Sequence, residues 1–513
     1  MDDLSPVILD GGPLALDDVE TVARHRREVT LAAPAVELLK RGRAFVDRLA
    51  GGTEPIYGIT TGVGKLKDVV IPPAQRAALQ RNLVLSHAAG VGAPLAEAET
   101  RAMLLLLAAS LARGASGVRP LVVETLVTCL NRGVHPVVPE QGSVGSSGDL
   151  APLAHVAACL IGEGEAWSGG RRAPAAEALR AAGITTLTLE TKEGLALLNG
   201  THLMAALGAL AVLDAGRLAR LADVAGAMSL EALMGTNAAF DARIHALRPH
   251  PGQQVVAANL RALTAESGVI ESHRDCTRVQ DAYSLRCMPQ VHGSAREAIG
   301  FARAIVEREL GAVSDNPLIF PADGAVLSGG NFHGEVLGLA LDTLAMGLAQ
   351  LAGISERRCD RLVNPLTNEG LPAFLAHGGG VNSGYMIAQY TAASLVAELK
   401  TLAHPAGIDS IPTSGLQEDY NAMGAGAALK ARRAVATARQ VLAIELLLAA
   451  QALDLRAPLV PGRGSRAAQA AVRRRIPPLA DDRYLKTDLD AALALAEDGS
   501  VLAAAESAVG ALA

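Results

Sequence analysis

Apolar positions recur at helical spacing through most of the chain. From Gln75 to Cys129 they do so with few breakers, and the pattern returns from Leu150 to Ile161. Long helix candidates follow at 193–236, 252–268, 289–313, 331–362, 384–403, 416–456 and 483–511. Several exceed the ordinary globular helix of about 11–12 residues. The interruptions are short. Residues 1–30 read as a strand-like start, "SPVILDG", and a short helix; "YGITTGVGKLK" at 57–67 is a Gly/Thr loop. "HPVVPEQG" is a Pro/Gly loop ahead of residues 142–149, and "GEGEAWSGGRR" within 162–190 reads as a small surface hairpin. The pattern predicts a mostly α fold built on a long-helix bundle, with apolar faces extensive enough for neighbouring subunits to share. The chain is divided here into an N-terminal region, 1–200, and a long-helix bundle with C-terminal helices, 201–513.

Composition sharpens this. Half of the 513 residues are apolar but only 3% are aromatic, so the core is built from Ala, Leu and Val, which favours close-packed helices. Net charge is −6 with both signs mixed, and no basic block points to nucleic acid. The five cysteines are scattered, without a C-x-x-C pair, which argues against disulfides and a cysteine zinc site and for a reducing cytoplasm. The acidic start "MDDLSPVILDGG" lacks an apolar signal core. The longest apolar runs, such as "MLLLLAASLA" from Met103, read as too short to span a bilayer, so no membrane role is expected.

Three stretches invite a chemistry. "TTGVGKL" at 60–66 lacks the four-residue gap of a phosphate-binding loop and has no clear strand before it. "NFHGE" places His333 and Glu335 as H-x-E, without the P-C-x-x-C half of a deaminase zinc site. No metal is expected, and His333 reads as a helix-start residue. The third stretch, "QGSVGSSGDLAPLAH" at 141–155, sets two serines between glycines. A flexible glycine loop with Asp149 as helix N-cap is one reading. A hydrolase nucleophile is another, although Ser147 has a glycine directly after it and no second spacer, unlike an elbow.

A third reading is self-reaction. In a tight bend the amide nitrogen of Gly148 can attack the carbonyl carbon of Ser146, closing a five-membered ring. Glycine suits the attacking position because no side chain shields it. Loss of one water completes the ring, and loss of a second from Ser147 leaves an exocyclic methylidene. The product, 4-methylidene-imidazol-5-one, is an electrophile made from the chain alone, with no external cofactor. Ordinary side chains supply only nucleophiles, acids and bases.

"GSVGSSGDLAPLAH" resembles the prosthetic-group segment of the histidine/phenylalanine ammonia-lyase and aminomutase family. Further motifs follow in family order: "YGITTGVG", "NLVLSHAAGVG", "KEGLALLNGT", "VQDAYSLRC", "SDNPLIF", "SGGNFHGE", "ISERR", "NSGYMIAQ" and "QED". The resemblance covers nearly the whole chain and is strongest to the histidine-specific branch. It implies an ammonia-lyase-type helical homotetramer, active sites built from three subunits, and conversion of L-histidine to trans-urocanate and ammonia. Tyr57 matches the general base, whose phenolate would need positive potential nearby. Arg286 matches a clamp on the substrate carboxylate. Asn199, Gln280 and Tyr283 match polar residues around the prosthetic ring and amino group. Asn316 is similar, and Phe332 matches a ring packed beside the electrophile. His87 and Glu418 resemble the pair that meets the imidazole, and Met386 resembles the histidine pocket.

Three positions depart from the family pattern. Ser146 stands where alanine is common, Met288 where glutamine is usual, and Tyr420 where histidine follows "QED". They keep a tyrosine- or phenylalanine-acting lyase, or an aromatic 2,3-aminomutase, as alternatives. A helical scaffold with a dead site and a serine hydrolase are the readings from other classes.

Overall fold

The computed structural model describes residues 5–513, which hold twenty α-helices and nine short strands. Two compact units share the chain. One comprises Met1–Ala211, Ala302–Asp342 and Pro405–Leu429; the other comprises Val212–Phe301, Thr343–His404 and Lys430–Ala513.

In the first unit, Val7–Leu9 pairs in parallel with Val29–Leu31, with Leu16–His25 as the crossover helix. Leu16–His25 packs on Glu97–Ala112. The sequence "MLLLLAASLA" is apolar on every face of Glu97–Ala112, and the helix is buried from Thr100 to Ala112. Even Arg101 is 1% exposed, because its guanidinium donates to the carbonyls of Val22 and Leu130. The hairpin expected within 162–190 is present as Glu165–Ser168 and Arg171–Pro174.

The stretch 75–129 is less continuous than its spacing suggests. It breaks into Arg76–His87, the strand Val91–Pro94, Glu97–Ala112 and Pro120–Arg132. Gly92 (φ +94°) within the strand, and Gly114 (+75°) and Gly117 (+73°) after the helix Glu97–Ala112, take left-handed backbone in the connections. "HPVVPEQG" is also not all loop. Val134–Pro136 pairs with Glu165–Ser168, and Pro139–Gln141 pairs with Val91–Pro94. These antiparallel partners are distant in sequence, so local pattern does not reveal them.

Ser147 and its surroundings hang on three packed helices, Arg76–His87, Leu150–Leu160 and Glu193–Leu198. Asp149 occupies the N-cap of Leu150–Leu160 but makes no capping bond to it. Its carboxylate instead accepts from the backbone N–H groups of Leu203 and Met204, at 2.9 and 3.0 Å, in the first turn of His202–Ala232. It also accepts from the Ser143 hydroxyl at 2.9 Å. One buried acid therefore caps a different helix and pins the serine loop to it.

The second unit is held by a buried polar network on its long helices. Glu445 accepts from Arg358 and from the hydroxyls of Ser229 and Ser355. Asp223 accepts from His292, Arg296 and Asn259. Met288 is fully buried here, its sulfur filling the space that a side chain at Gly226 would need.

Three helices, His202–Ala232, Glu335–Val363 and Gly424–Leu455, are long and apolar enough to cross a membrane, which corrects the reading of apolar runs as too short. Between 67 and 83% of their apolar windows is buried inside the protein, so packing already occupies most of that surface. All five cysteines are free thiols. Among the described residues, no three His, Cys, Asp or Glu side chains gather as metal ligands.

Candidate active site

The serine loop turns tightly. Gly145 (φ +73°) and Gly148 (φ +71°) both take left-handed backbone. A Cβ at Gly148 would stand 2.3 Å from the backbone of Gly200, so only glycine fits. Gly148 bridges Gly200 directly, and the N–H of Asp149 donates to the Gly200 carbonyl at 2.7 Å. Asn199 sits in a break between the helices Glu193–Leu198 and His202–Ala232, and its amide donates to the Ser147 carbonyl at 2.6 Å. The Ser146 hydroxyl accepts from the N–H of Ala422 at 2.7 Å. A bare nitrogen at Gly148, a bent backbone and a Ser147 carbonyl held by Asn199 suit internal cyclisation of residues 146–148, so these residues fit a methylidene-imidazolone.

The Ser147 hydroxyl donates to Glu418 at 2.7 Å. No histidine bonds to it, contrary to the arrangement of a serine hydrolase. Glu418 is not helical as the span 416–456 suggested. That helix begins at Gly424, and Glu418 lies in a loop where it forms a bridge with Thr413. The Thr413 hydroxyl donates to the second carboxylate oxygen at 2.6 Å. Thr413 was missed because nothing in its sequence neighbourhood signals the pairing.

Two cavities of about 770 and 720 Å³ share Tyr57, Gly64, Ser147, Asn199 and Glu418. The first is also lined by Ser146, Asn316, Phe332, His333 and Tyr420, the second by His87 and several leucines. Phe332 and His333 precede the helix Glu335–Val363, and the His333 ring meets the Tyr420 carbonyl at 3.1 Å. Asn316 accepts from the N–H of Gly329 at 2.9 Å. The adjoining Asp315 is paired with Lys192 at 2.6 Å, both buried. The loop "TTGVGKL" forms a short turn, Gly64–Leu66, and lines both cavities.

Burial pushes the Tyr57 hydroxyl above the usual tyrosine range; the N–H of Gly64, donating to it at 3.1 Å, opposes this, while the charges of Glu418 and Asp315 add to the rise. Lys67 and Lys65 line the same two cavities. Burial likewise lowers His87, against a smaller opposing pull from Glu418, and so favours the neutral ring. Asp149, fully buried, is raised to about 6 by desolvation.

The remaining predicted residues belong to the second unit. Gln280 is exposed and lines a cavity of about 610 Å³ with Arg278 and Asp281. Tyr283 and Arg286 share the short helix Tyr283–Arg286, with the guanidinium 4.8 Å over the Tyr283 ring. The Arg286 Nε is buried without a hydrogen-bond partner among the described residues. Met386 opens the helix Met386–Leu402. Of the departures, Ser146 and Tyr420 line the pocket, while Met288 packs in the core of the second unit.

Comparisons with known proteins place the chain in a family. The family model for aromatic amino acid lyase matches residues 14–474. A protein of Koribacter versatilis named histidine ammonia-lyase is 55% identical, with 97% of this chain and 99% of that protein covered. The crystal structure of histidine ammonia-lyase from Trypanosoma cruzi superposes with a TM-score of 0.90 at 43% identity, covering 98% and 96% of the two chains. Tyrosine aminomutase from Streptomyces globisporus gives a TM-score of 0.94 at 38% identity, covering 99% and 100%. With a family model spanning most of its length and near-full-length relatives above half identity, the chain belongs to the aromatic amino acid lyase family.

Proposed function

We propose that the protein eliminates ammonia from L-histidine to give trans-urocanate. The observation that carries this reading is Glu418, whose carboxylate sits 2.7 Å from the Ser147 hydroxyl in a pocket that also holds Tyr57 and Asn199. A methylidene-imidazolone formed from Ser146, Ser147 and Gly148 supplies the electrophile that draws electrons from the substrate. Asn199 holds the Ser147 carbonyl, Gly200 accepts from the Asp149 N–H beside the ring, and the Ala422 N–H holds the Ser146 hydroxyl.

The rest is done by ordinary side chains. Glu418 accepts the imidazole N–H, a bond that a phenyl ring cannot offer. Neutral His87 lines the same cavity and serves as the second imidazole contact. Phe332 flanks the reacting carbon. Tyr57 removes the β-proton. Burial raises its pKa, so its phenolate needs a cation close by, and a neighbouring copy can add one to Lys65 and Lys67 of the cavity lining.

Arg286 of a neighbouring copy supplies that cation and grips the substrate carboxylate with its fork, Nε being unpartnered in this chain. Gln280, Tyr283 and Met386 enter the same site from neighbouring copies. The working form is a homotetramer in a reducing cytoplasm. Within it, residues 1–200 carry the tyrosine and serine loops and 201–513 supply the bundle.

A second reading, tyrosine/phenylalanine lyase or aromatic aminomutase, draws on Tyr420 in the pocket and on the likeness to tyrosine aminomutase. Separate incubation with histidine, tyrosine and phenylalanine decides between them. Conjugated acrylate and free ammonia from histidine support the first reading. Faster turnover of tyrosine, or release of a β-amino acid, overturns it.

A further inference from the structure

A cavity of about 590 Å³ in the first unit takes no part in the chemistry above. One face of the helix Ala33–Ala50 forms one wall, with Leu38, Arg41, Phe45 and Arg48 at helical spacing. The turn at Arg113 and the hairpin that carries Ile319 close it. The floor is apolar: Phe45 and Ile319 are 3% and 1% exposed.

The rim is cationic. Arg48 lies 4.9 Å over the Phe45 ring. Arg113 has its Nη1 buried with no hydrogen-bond partner, an arrangement costly to leave unfilled. Arg41 and Arg48 form no ion pair among the described residues, whereas Arg43, on the same helix, is paired with Asp47 and Glu190. Asp323 is the one acid lining the cavity, leaving an excess of two positive charges there.

We propose that this cavity is an effector site for a small organic oxyanion, with a phosphate or carboxylate head held by Arg41, Arg48 and Arg113 and an apolar body lying on Phe45 and Ile319. Guanidiniums that lack internal partners are free to fork onto an oxyanion, and the apolar floor selects against bare inorganic ions.

The site is wired to the catalytic pocket by packing. Phe45, Val46, Ile59 and Ile319 form one buried cluster. Ile59 is two residues from Tyr57, and Ile319 is three from Asn316, which lines the pocket. The cluster is closely packed, all four side chains being 3% exposed or less. A ligand on the floor therefore shifts the strand and loop that carry Asn316 and Tyr57.

Calorimetry on the full-length protein tests the site, with phenyl phosphate, benzoate, inorganic phosphate and phenol as probes. One phenyl phosphate or benzoate per chain, weakened about tenfold or more in the exposed-residue variant Arg41→Glu/Arg48→Glu, is expected. The preferred head group identifies the natural ligand's class. Absence of binding, equal binding of inorganic phosphate, or unchanged affinity in the variant overturns the site. This arm is independent of which amino acid is the substrate. Turnover of whichever aromatic amino acid the enzyme accepts is then followed with saturating probe. A change of about twofold or more in wild type, abolished in the variant, is expected. Binding without a change in rate, or inhibition that persists in the variant, overturns the effector role.

Discussion

At the scale of single residues, Glu418 carries the most weight. Its loop position, its bond to Ser147 and its tie to Thr413 place a charged acceptor at the wall of a pocket whose other lobe is leucine-rich. Glu418→Gln exchanges that charge for a neutral amide. A charge-assisted hydrogen bond is worth roughly 1.5–3 kcal/mol, so kcat/KM for histidine is expected to fall about 10- to 100-fold, while phenylalanine changes little. Steady-state kinetics with both substrates, beside an intact-mass check that the ring still forms, measures this.

Buried histidines set the pH response. Burial depresses His135 and His202 to about 4, both ring nitrogens of His202 being unpartnered. Because their folded pKa lies below the ordinary 6.5, the unfolded chain takes up protons first, and stability drains away as pH falls from about 6.5 to 4. Each contributes a loss of ~3 kcal/mol at most. Asp149 acts oppositely: raised to about 6, it binds its proton first in the folded state and returns part of the loss between about 6 and 4. Denaturant melts at pH 7 and 4.5 should therefore show net loss of stability on acidification. His202→Phe should flatten the profile; an unchanged slope would refute this assignment.

At the scale of elements, sequence periodicity found the long helices and misjudged their ends, and the misjudged ends are where the site lies. Asn199 interrupts what read as one helix over 193–236, Phe332 precedes the helix start at Glu335, and Glu418 precedes the start at Gly424. Apolar spacing cannot see these breaks, because the residues are held by bonds to partners up to 271 positions away, as with Ser147 and Glu418. The Ser-Ser-Gly segment itself was legible, since glycine beside serine at a helix entry has a direct chemical meaning. Asp149 shows the limit of local rules: the expected cap of the following helix caps a different helix instead. Asp149→Ala should cost about 1–2 kcal/mol from the lost cap and slow ring formation, since the loop loses its anchor. Urea unfolding reads the first effect and time-resolved intact mass the second.

At the scale of the whole molecule, the predicted site residues are divided between the two units. Tyr57, Ser147, Asn199, Phe332 and Glu418 lie in one unit, and Gln280, Tyr283, Arg286 and Met386 in the other. The raised Tyr57 and the unpartnered Arg286 Nε complement each other if neighbouring copies share sites. Ser147→Ala and Arg286→Ala should each be inactive alone. Co-expressed, they should regain measurable turnover, because some sites then combine an intact serine loop with an intact arginine. No recovery in a verified mixed oligomer would place both residues in a site made by one chain.

All of this rests on the backbone at Ser146, Ser147 and Gly148 closing on itself. Intact-protein mass spectrometry of freshly purified wild type, beside Ser147→Ala, tests that most directly. The wild-type chain is predicted to be lighter than its sequence by two waters, with no such methylidene deficit in the variant. A wild-type mass equal to that of the unmodified sequence would contradict the account.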